Sequence, residues 1–257
     1  MIRDRARQLF RAGGLVVATG TCMGLAAVNL KAFPPPHRDV VTELWTRRWA
    51  ASLLRLFDIH LDIRGSVPPP TKKGDRGRLI VANHRSAIDI GVMLATFGGR
   101  LVSRADLGGW PVIGAGAKMA GTIFVDRQDA RSGMITMRLI EKHLKEGDTV
   151  SIFPEGTTFL GDEVRPFHGG AFIAASRASA EILPVGLAYP EKSDAAFVNE
   201  TFMSHLNRMS MSPRPTRVGV AVGPAIQTLG RKATELTRIA HAAVVEQVAI
   251  AREVAGP

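Results

Sequence analysis

The feature that most constrains this chain is a set of short apolar runs at 79–82, 101–103, 122–125, 149–153, 182–187 and 218–222. Such runs fit buried strands and are too short for helices. Stretches with helical periodicity at 88–97, 132–145, 170–179 and 234–254 fall between or after them. The alternation predicts an α/β domain: a mixed, largely parallel sheet flanked by helices. In open sheets of this kind ligands collect beyond the carboxyl ends of the strands, so the turns that follow the strands carry most of the functional information. With 257 residues, 46% of them hydrophobic, there is ample material for a core.

Upstream of this pattern the chain changes character. Positions 12–30 are uncharged, enough for a helix rising about 1.5 Å per residue to just cross a hydrocarbon layer. Gly13, Gly14, Gly20 and Gly24, with Thr19, Thr21 and Asn29, weaken that fit and leave a span, a half-inserted anchor and a buried helix open. Arg3, Arg5, Arg7 and Arg11 before the apolar stretch also match the start of a secretory signal. A second segment, 43–57, sets Trp45, Trp49, Leu53 and Leu56 at helical spacing, with Arg47, Arg48 and Arg55 on other faces. That stripe could face a core. Two tryptophans and three arginines beside a candidate span favour the headgroup zone of a membrane. Pro68, Pro69 and Pro70, with Gly74 and Gly77, form the next linker, giving an N-terminal membrane-associating helical region over 1–70 and an α/β domain over 71–257.

Lys and Arg outnumber Asp and Glu by 33 to 23, so the partners are expected to be anionic: acidic lipid, a phosphorylated substrate, an acidic carrier or nucleic acid. Nucleic acid is disfavoured by 6% aromatic residues and the absence of a recognition motif. Cys22 is the only cysteine, which excludes an internal disulfide and cysteine-rich metal sites. No HExxH, phosphate-binding loop or complete dinucleotide fingerprint occurs, and no metal or resident cofactor is expected.

Three polar turns follow apolar runs. After 79–82 come Asn83, His84 and, five positions beyond the histidine, Asp89. Ser86 and Asp89 have the spacing of a capping box, which predicts a helix starting at Ser86 with His84 in the turn before it. After 149–153 come Pro154, Glu155, Gly156, Thr157 and Thr158; after 122–125 come Asp126 and Arg127. If the three strands are parallel, these turns converge on one sheet edge. Each also has a structural reading: a local turn bond for His84, a cap for Asp89, a polar strand exit at 154–158, and for Arg127 a pair with Asp126 or Asp129.

In order and spacing these blocks resemble those of the glycerolipid acyltransferases of the PlsC type. Asn83-His84 with Asp89 looks like the family's NHxxxxD block, 121–127 like GxxFxxR, 153–157 like FPEGT, and Leu183-Pro184-Val185 like its proline-centred fourth block. The resemblance implies a glycerolipid acyltransferase fold and transfer of an acyl group from acyl-CoA or acyl carrier protein to a lysolipid hydroxyl. By it His84 is the general base and Asp89 holds the other ring nitrogen, with direct attack by the acceptor rather than an acyl-enzyme. Arg127, Glu155, Gly156 and Thr157 would bind the acceptor. The first acceptor it suggests is 1-acyl-sn-glycerol-3-phosphate, giving phosphatidic acid. Thr158 stands where many members carry an arginine, however, and FPEGTT resembles the lyso-ornithine lipid form; Arg104 or Arg165 could replace the missing charge. The implied location is the cytoplasmic face of the inner or plasma membrane, with the anionic surface as partner. A lipid-binding scaffold without catalysis, or a basic nucleic-acid-binding protein, are the rival readings.

Overall fold

The structure, a computed structural model, describes residues 2–34, 37–110, 112–126, 129–191, 193 and 195–256. Strands β1 (Ile59–Arg64), β2 (Arg78–Ala82), β3 (Arg100–Arg104), β4 (Ile123–Val125), β5 (Thr149–Ile152), β6 (Glu181–Ala188) and β7 (Thr216–Val222) form one sheet in the order β1-β7-β6-β2-β5-β3-β4, and β8 (Ile226–Gln227) also pairs with β6. Strands β2 to β6 run parallel, so their carboxyl ends share an edge. β7 runs against β6, and β1 is parallel to β7.

Alternation along the strands divides the core. Ile80 and Ala82 face α1 (Ile2–Ala32), α2 (Arg38–Leu56), α3 (Ile88–Phe97) and α7 (Phe202–Met211). Leu79 and Val81 face α5 (Ala130–Lys145), α6 (Gly170–Arg177) and α8 (Ala233–Ala255). The remaining helix, α4 (Ile113–Met119), follows a 3-10 turn at Ala105–Gly109. Helix α8 lies almost on the backbone of β6 and β7: a Cβ on Gly186 would stand 2.1 Å from the Gln247 carbonyl carbon, and one on Gly219 2.0 Å from the Ala251 oxygen. Pro184 in the middle of β6 is tolerated because its backbone faces the break between β7 and β8, where its carbonyl accepts the Gly223 N–H at 3.0 Å.

The N-terminal segment departs from expectation in two ways. Trp45 and Trp49 are buried in the core with Leu54 and Val92, so the stripe on α2 faces the protein and not a headgroup zone. The periodicity was the same for either partner; apolar surface on α1 and α3 supplies the cover. Strand β1, within the first 70 residues, joins the sheet edge by pairing with β7 and was not expected. Helix α1 is long and apolar enough to cross a membrane over Arg3–Ala32, yet one stripe of it, Arg11, Leu15, Thr19, Cys22 and Ala26, is buried against the domain. The buried Arg11 donates to the carbonyls of Met209 (2.8 Å) and Ser212 (2.9 Å) at the end of α7, and to Leu56 at the end of α2 (3.2 Å). Trp49 Nε1 donates to Thr19 Oγ1 at 3.0 Å. The other face, including Leu9, Phe10, Val16, Val17 and Val28, is exposed.

Candidate active site

The site starts where β2 ends. The Asn83 amide donates to the Leu187 carbonyl and accepts the Leu187 N–H, both at 2.8 Å, extending the β2–β6 pairing by side chain and fixing the exit of the chain. His84 then lies in the turn, as the spacing predicts. Its Nδ1 is 2.8 Å from Asp89 Oδ2, and its ring stacks on Phe153 from the end of β5, with centroids 4.1 Å apart and planes 8° from parallel. The histidine is thereby fixed in both distance and plane, and its Nε2 has no hydrogen-bond partner among the described residues.

Asp89 is fully buried and its carboxylate is surrounded by donors. Oδ2 accepts the N–H groups of Arg85 (2.7 Å) and Ser86 (2.9 Å) besides facing His84; Oδ1 accepts the Tyr189 hydroxyl. Half of the capping box inferred from sequence forms, Asp89 accepting the Ser86 N–H; the Ser86 hydroxyl accepts the Ile88 N–H at 3.1 Å instead of that of Asp89, and the helix proper begins at Ile88, two residues later than expected. Burial and the neighbouring Asp89 carboxylate raise the Tyr189 phenol well above its ordinary value, so it remains a hydrogen-bond donor. These bonds leave Asp89 one role toward the histidine, to accept Nδ1–H and so leave the lone pair on Nε2.

The expected acceptor-binding residues divide. Arg127 lies outside the described residues. Gly156, at φ +81°, closes the turn after β5 through its N–H to the Phe153 carbonyl at 3.1 Å, and the exposed Thr157 lines the cavity described below. The Glu155 side chain points elsewhere: it is buried against the equally buried Arg85, whose Nη1 stands 2.9 Å from Oε2. Burial, which Arg85 only partly offsets, holds this carboxyl above the usual glutamate range. Arg85 also donates to the carbonyls of His84 (2.8 Å) and Glu163 (2.5 Å), so the pair clamps the histidine turn to the turn after β5. Sequence reasoning passed over Arg85 and Tyr189. Arg85 sits unmarked inside its block, but Tyr189 had a signal: it is the only tyrosine and directly follows β6.

Of the two candidate substitutes for the missing cation, Arg104 lines the cavity but is paired with Asp106 at 2.9 Å, while Arg165 is exposed and paired with Glu163 at 3.2 Å. Thr158 itself donates its hydroxyl to the Phe197 carbonyl. Among the described residues one trio, His143, Glu146 and Asp148, comes within metal-binding spacing. It precedes β5, at the sheet edge opposite the dyad, and Asp148 is already bonded to His143 and Arg100 at 2.9 Å each.

His84 opens onto a cavity of about 550 Å³ that runs between the sheet edge and the N-terminal helices. Leu54, Leu94, Leu101, Ile113, Leu206 and Met209 contribute to a mainly apolar wall, and Thr157, Thr158, Glu200 and His205 add polar groups. Its size is ordinary for a ligand site and its lining suits an alkyl chain. A base with a free lone pair at one side of an apolar cavity can take a proton from a hydroxyl presented on a lipid chain.

Known proteins bear on this geometry. A family model described as Acyltransferase matches residues 61–188. A lyso-ornithine lipid O-acyltransferase of Pseudomonas aeruginosa is 32% identical over 247 residues, 93% of each chain. A 1-acyl-sn-glycerol-3-phosphate acyltransferase of Neisseria gonorrhoeae is 34% identical over 133 residues, 52% of each. The crystal structure of the 1-acyl-sn-glycerophosphate acyltransferase PlsC from Thermotoga maritima superposes with a TM-score of 0.73 over 97% of this chain and 96% of that one, at 18% identity, which establishes a common fold. Likeness along nearly the whole length of a curated relative, and a family model spanning the His84 and Glu155 turns, show that this chain is an enzyme of the acyltransferase family.

Proposed function

We propose that this acyltransferase moves a fatty acyl group from a thioester, on coenzyme A or acyl carrier protein, to the free hydroxyl of a lysolipid, and that its acceptor is lyso-ornithine lipid. His84 Nε2 takes the hydroxyl proton as the oxygen attacks the thioester carbonyl. The tetrahedral intermediate collapses, the carbon–sulfur bond breaks, and the imidazolium returns the proton to the departing thiolate. Asp89 orients the ring and balances the transient positive charge, and Tyr189 with two backbone N–H groups holds that carboxylate in place. Base catalysis of this type contributes about 10²- to 10⁴-fold. The observation that carries the reading is the His84–Asp89 contact at 2.8 Å beside an apolar cavity.

Thr157, on the cavity wall, and Gly156, in the same turn after β5, are assigned to the acceptor, and Arg127 is proposed to bind it with them. Glu155 is assigned a positioning role through Arg85. Lyso-ornithine lipid is favoured because the relative named for it aligns over 93% of both chains, and because Thr158 stands in place of a phosphate-binding arginine. The exposed apolar face of α1, with the opposite face fixed to the domain by Arg11 and Thr19, suits a helix lying in the membrane surface on the cytoplasmic side, where the donors are found.

The test offers purified, detergent-solubilised protein both donors and two acceptors, lyso-ornithine lipid and 1-acyl-sn-glycerol-3-phosphate. Preferential acylation of lyso-ornithine lipid is expected. Preference for the phosphate-bearing acceptor would overturn the assignment of substrate, and transfer to neither by a folded protein would overturn the assignment of function.

A further inference from the structure

Part of the polar wall of the cavity comes from elements that carry none of the family blocks. Segment 195–201 and the start of α7 bring Glu200 and His205 to the same cavity as His84. His205 is 2% exposed, with Nδ1 3.2 Å from Glu200 Oε1. Arg208 Nη2 is within reach of Glu200 Oε1, the Ala196 carbonyl (2.7 Å) and His205 Nδ1 (3.1 Å). The two hydrogens of that nitrogen are best used on the two oxygens, which leaves Nδ1–H to donate to Glu200 and places the lone pair on Nε2. That Nε2 is buried and has no hydrogen-bond partner among the described residues. Burial, reinforced by the adjacent guanidinium, holds the imidazole below its ordinary value and so in the neutral form. What the wall presents to the cavity is the part-exposed Glu200 carboxylate, held from behind by Arg208 and the His205 ring, whose Nε2 is sealed from the cavity.

What holds this wall in place is the residue that departs from the family pattern. The Thr158 hydroxyl donates to the Phe197 carbonyl, and the Phe197 N–H bonds the Arg85 carbonyl at 3.1 Å, so segment 195–201 is attached to both catalytic turns. Thr158 also lines the cavity. An arginine there would bring a cation to the wall and remove the hydroxyl that holds Phe197.

We infer that Glu200, positioned by His205 and with its segment held by Thr158, is the acceptor-selecting contact of this enzyme, and that it recognises lysolipids whose head group carries an ammonium donor while rejecting phosphate. A phosphate would meet the Glu200 carboxylate as a second anion, whereas the ammonium of an amino-acid head group donates to it. This inference rests on the proposed lyso-ornithine acceptor and adds the residues that select it.

The experiment compares lyso-ornithine lipid with its norvaline analogue, in which the terminal amine is replaced by hydrogen, for the full-length wild type, Glu200→Gln and Glu200→Asp. The expected wild-type preference for the amine is about tenfold or more in kcat/KM, carried by KM, as for a charge-assisted hydrogen bond. Glu200→Gln should reduce that ratio to near unity and Glu200→Asp restore part of it, a readout that partial misfolding would not move because both acceptors share one protein sample. A wild type that discriminates between the two, with Glu200→Gln discriminating equally well, would overturn the subsite and leave the lyso-ornithine reading standing. A wild type that acylates neither amino-acid lipid but does acylate 1-acyl-sn-glycerol-3-phosphate would overturn both.

Discussion

Arg85→Met removes the one charge that, among the described residues, pairs with the buried Glu155 carboxylate. Arg85 and Glu155 are 4% and 5% exposed and in contact at 2.9 Å, so the substitution leaves an uncompensated anion. Breaking a buried pair in this way costs about 3–5 kcal/mol. For a chain of this size each 1 kcal/mol shifts the melting temperature by roughly 2–4 °C, so a drop of about 6–20 °C is expected. Glu155→Gln keeps an oxygen acceptor and loses the charge, at about 1–3 kcal/mol. Because the two residues act as a unit, the double variant should lose less than the sum of the singles, with a coupling of about 1 kcal/mol or more. The assay is thermal unfolding in detergent across the four proteins, with steady-state acyl transfer on the same samples. The alternative, that Glu155 contacts the acceptor directly, predicts a raised KM with little loss of stability. Additive stability losses within about 0.5 kcal/mol, together with a KM effect for Glu155→Gln alone, would refute the clamp.

Further outcomes follow from the same geometry. Asp89→Asn keeps an oxygen for Arg85 N–H and Ser86 N–H and can turn its amide toward Tyr189; stability should hold within about 2 kcal/mol while kcat falls about 10²- to 10⁴-fold, because the imidazolium loses its counter-charge. Wild-type kcat in this variant would remove Asp89 from the mechanism. His205 titrates below its ordinary value in the fold, so the stability it contributes is present above about pH 6.5, where the unfolded side chain is also neutral, and is lost as the pH falls toward the folded value. His205→Gln should flatten the pH dependence of unfolding on the acid side of about pH 6.5, and an unchanged slope would show that another group is responsible. Ala50, 1% exposed on the cavity wall, tests what the cavity holds: Ala50→Leu should shift preference toward shorter acyl donors at an overpacking cost of about 1–3 kcal/mol, whereas an unchanged chain-length profile would place the acyl chain elsewhere.

Much of this molecule could be read from one sequence because its signals are local. The strands from β2 to β7 coincide with short apolar runs, and the turns after them fall on one edge because β2, β4 and β5 are parallel. His84 and Asp89 were legible because a capping pattern and a histidine in a strand exit both leave marks within a few residues. The illegible parts depend on what lies across space. Strand β1, Ile-His-Leu-Asp-Ile-Arg, is an edge strand with polar residues at alternate positions and gains its identity from pairing with β7. The tryptophan stripe of α2 has the same period whether lipid or protein covers it, and only α1 and α3 decide. Arg85 and Tyr189 act through partners about 70 and 100 residues away, distances at which periodicity carries no information. The cavity belongs to several helices at once and has no sequence pattern of its own.

The proposed mechanism makes the Nε2 of His84, with Asp89 behind it, the base that activates the acceptor hydroxyl. Its most direct test is acyl transfer by His84→Ala against wild type under saturating donor and acceptor, with folding checked by unfolding temperature and donor binding measured separately. Retained folding, retained donor binding and a loss of about 10²- to 10⁴-fold in kcat are expected. Transfer within a few-fold of wild type by the folded variant would contradict the mechanism.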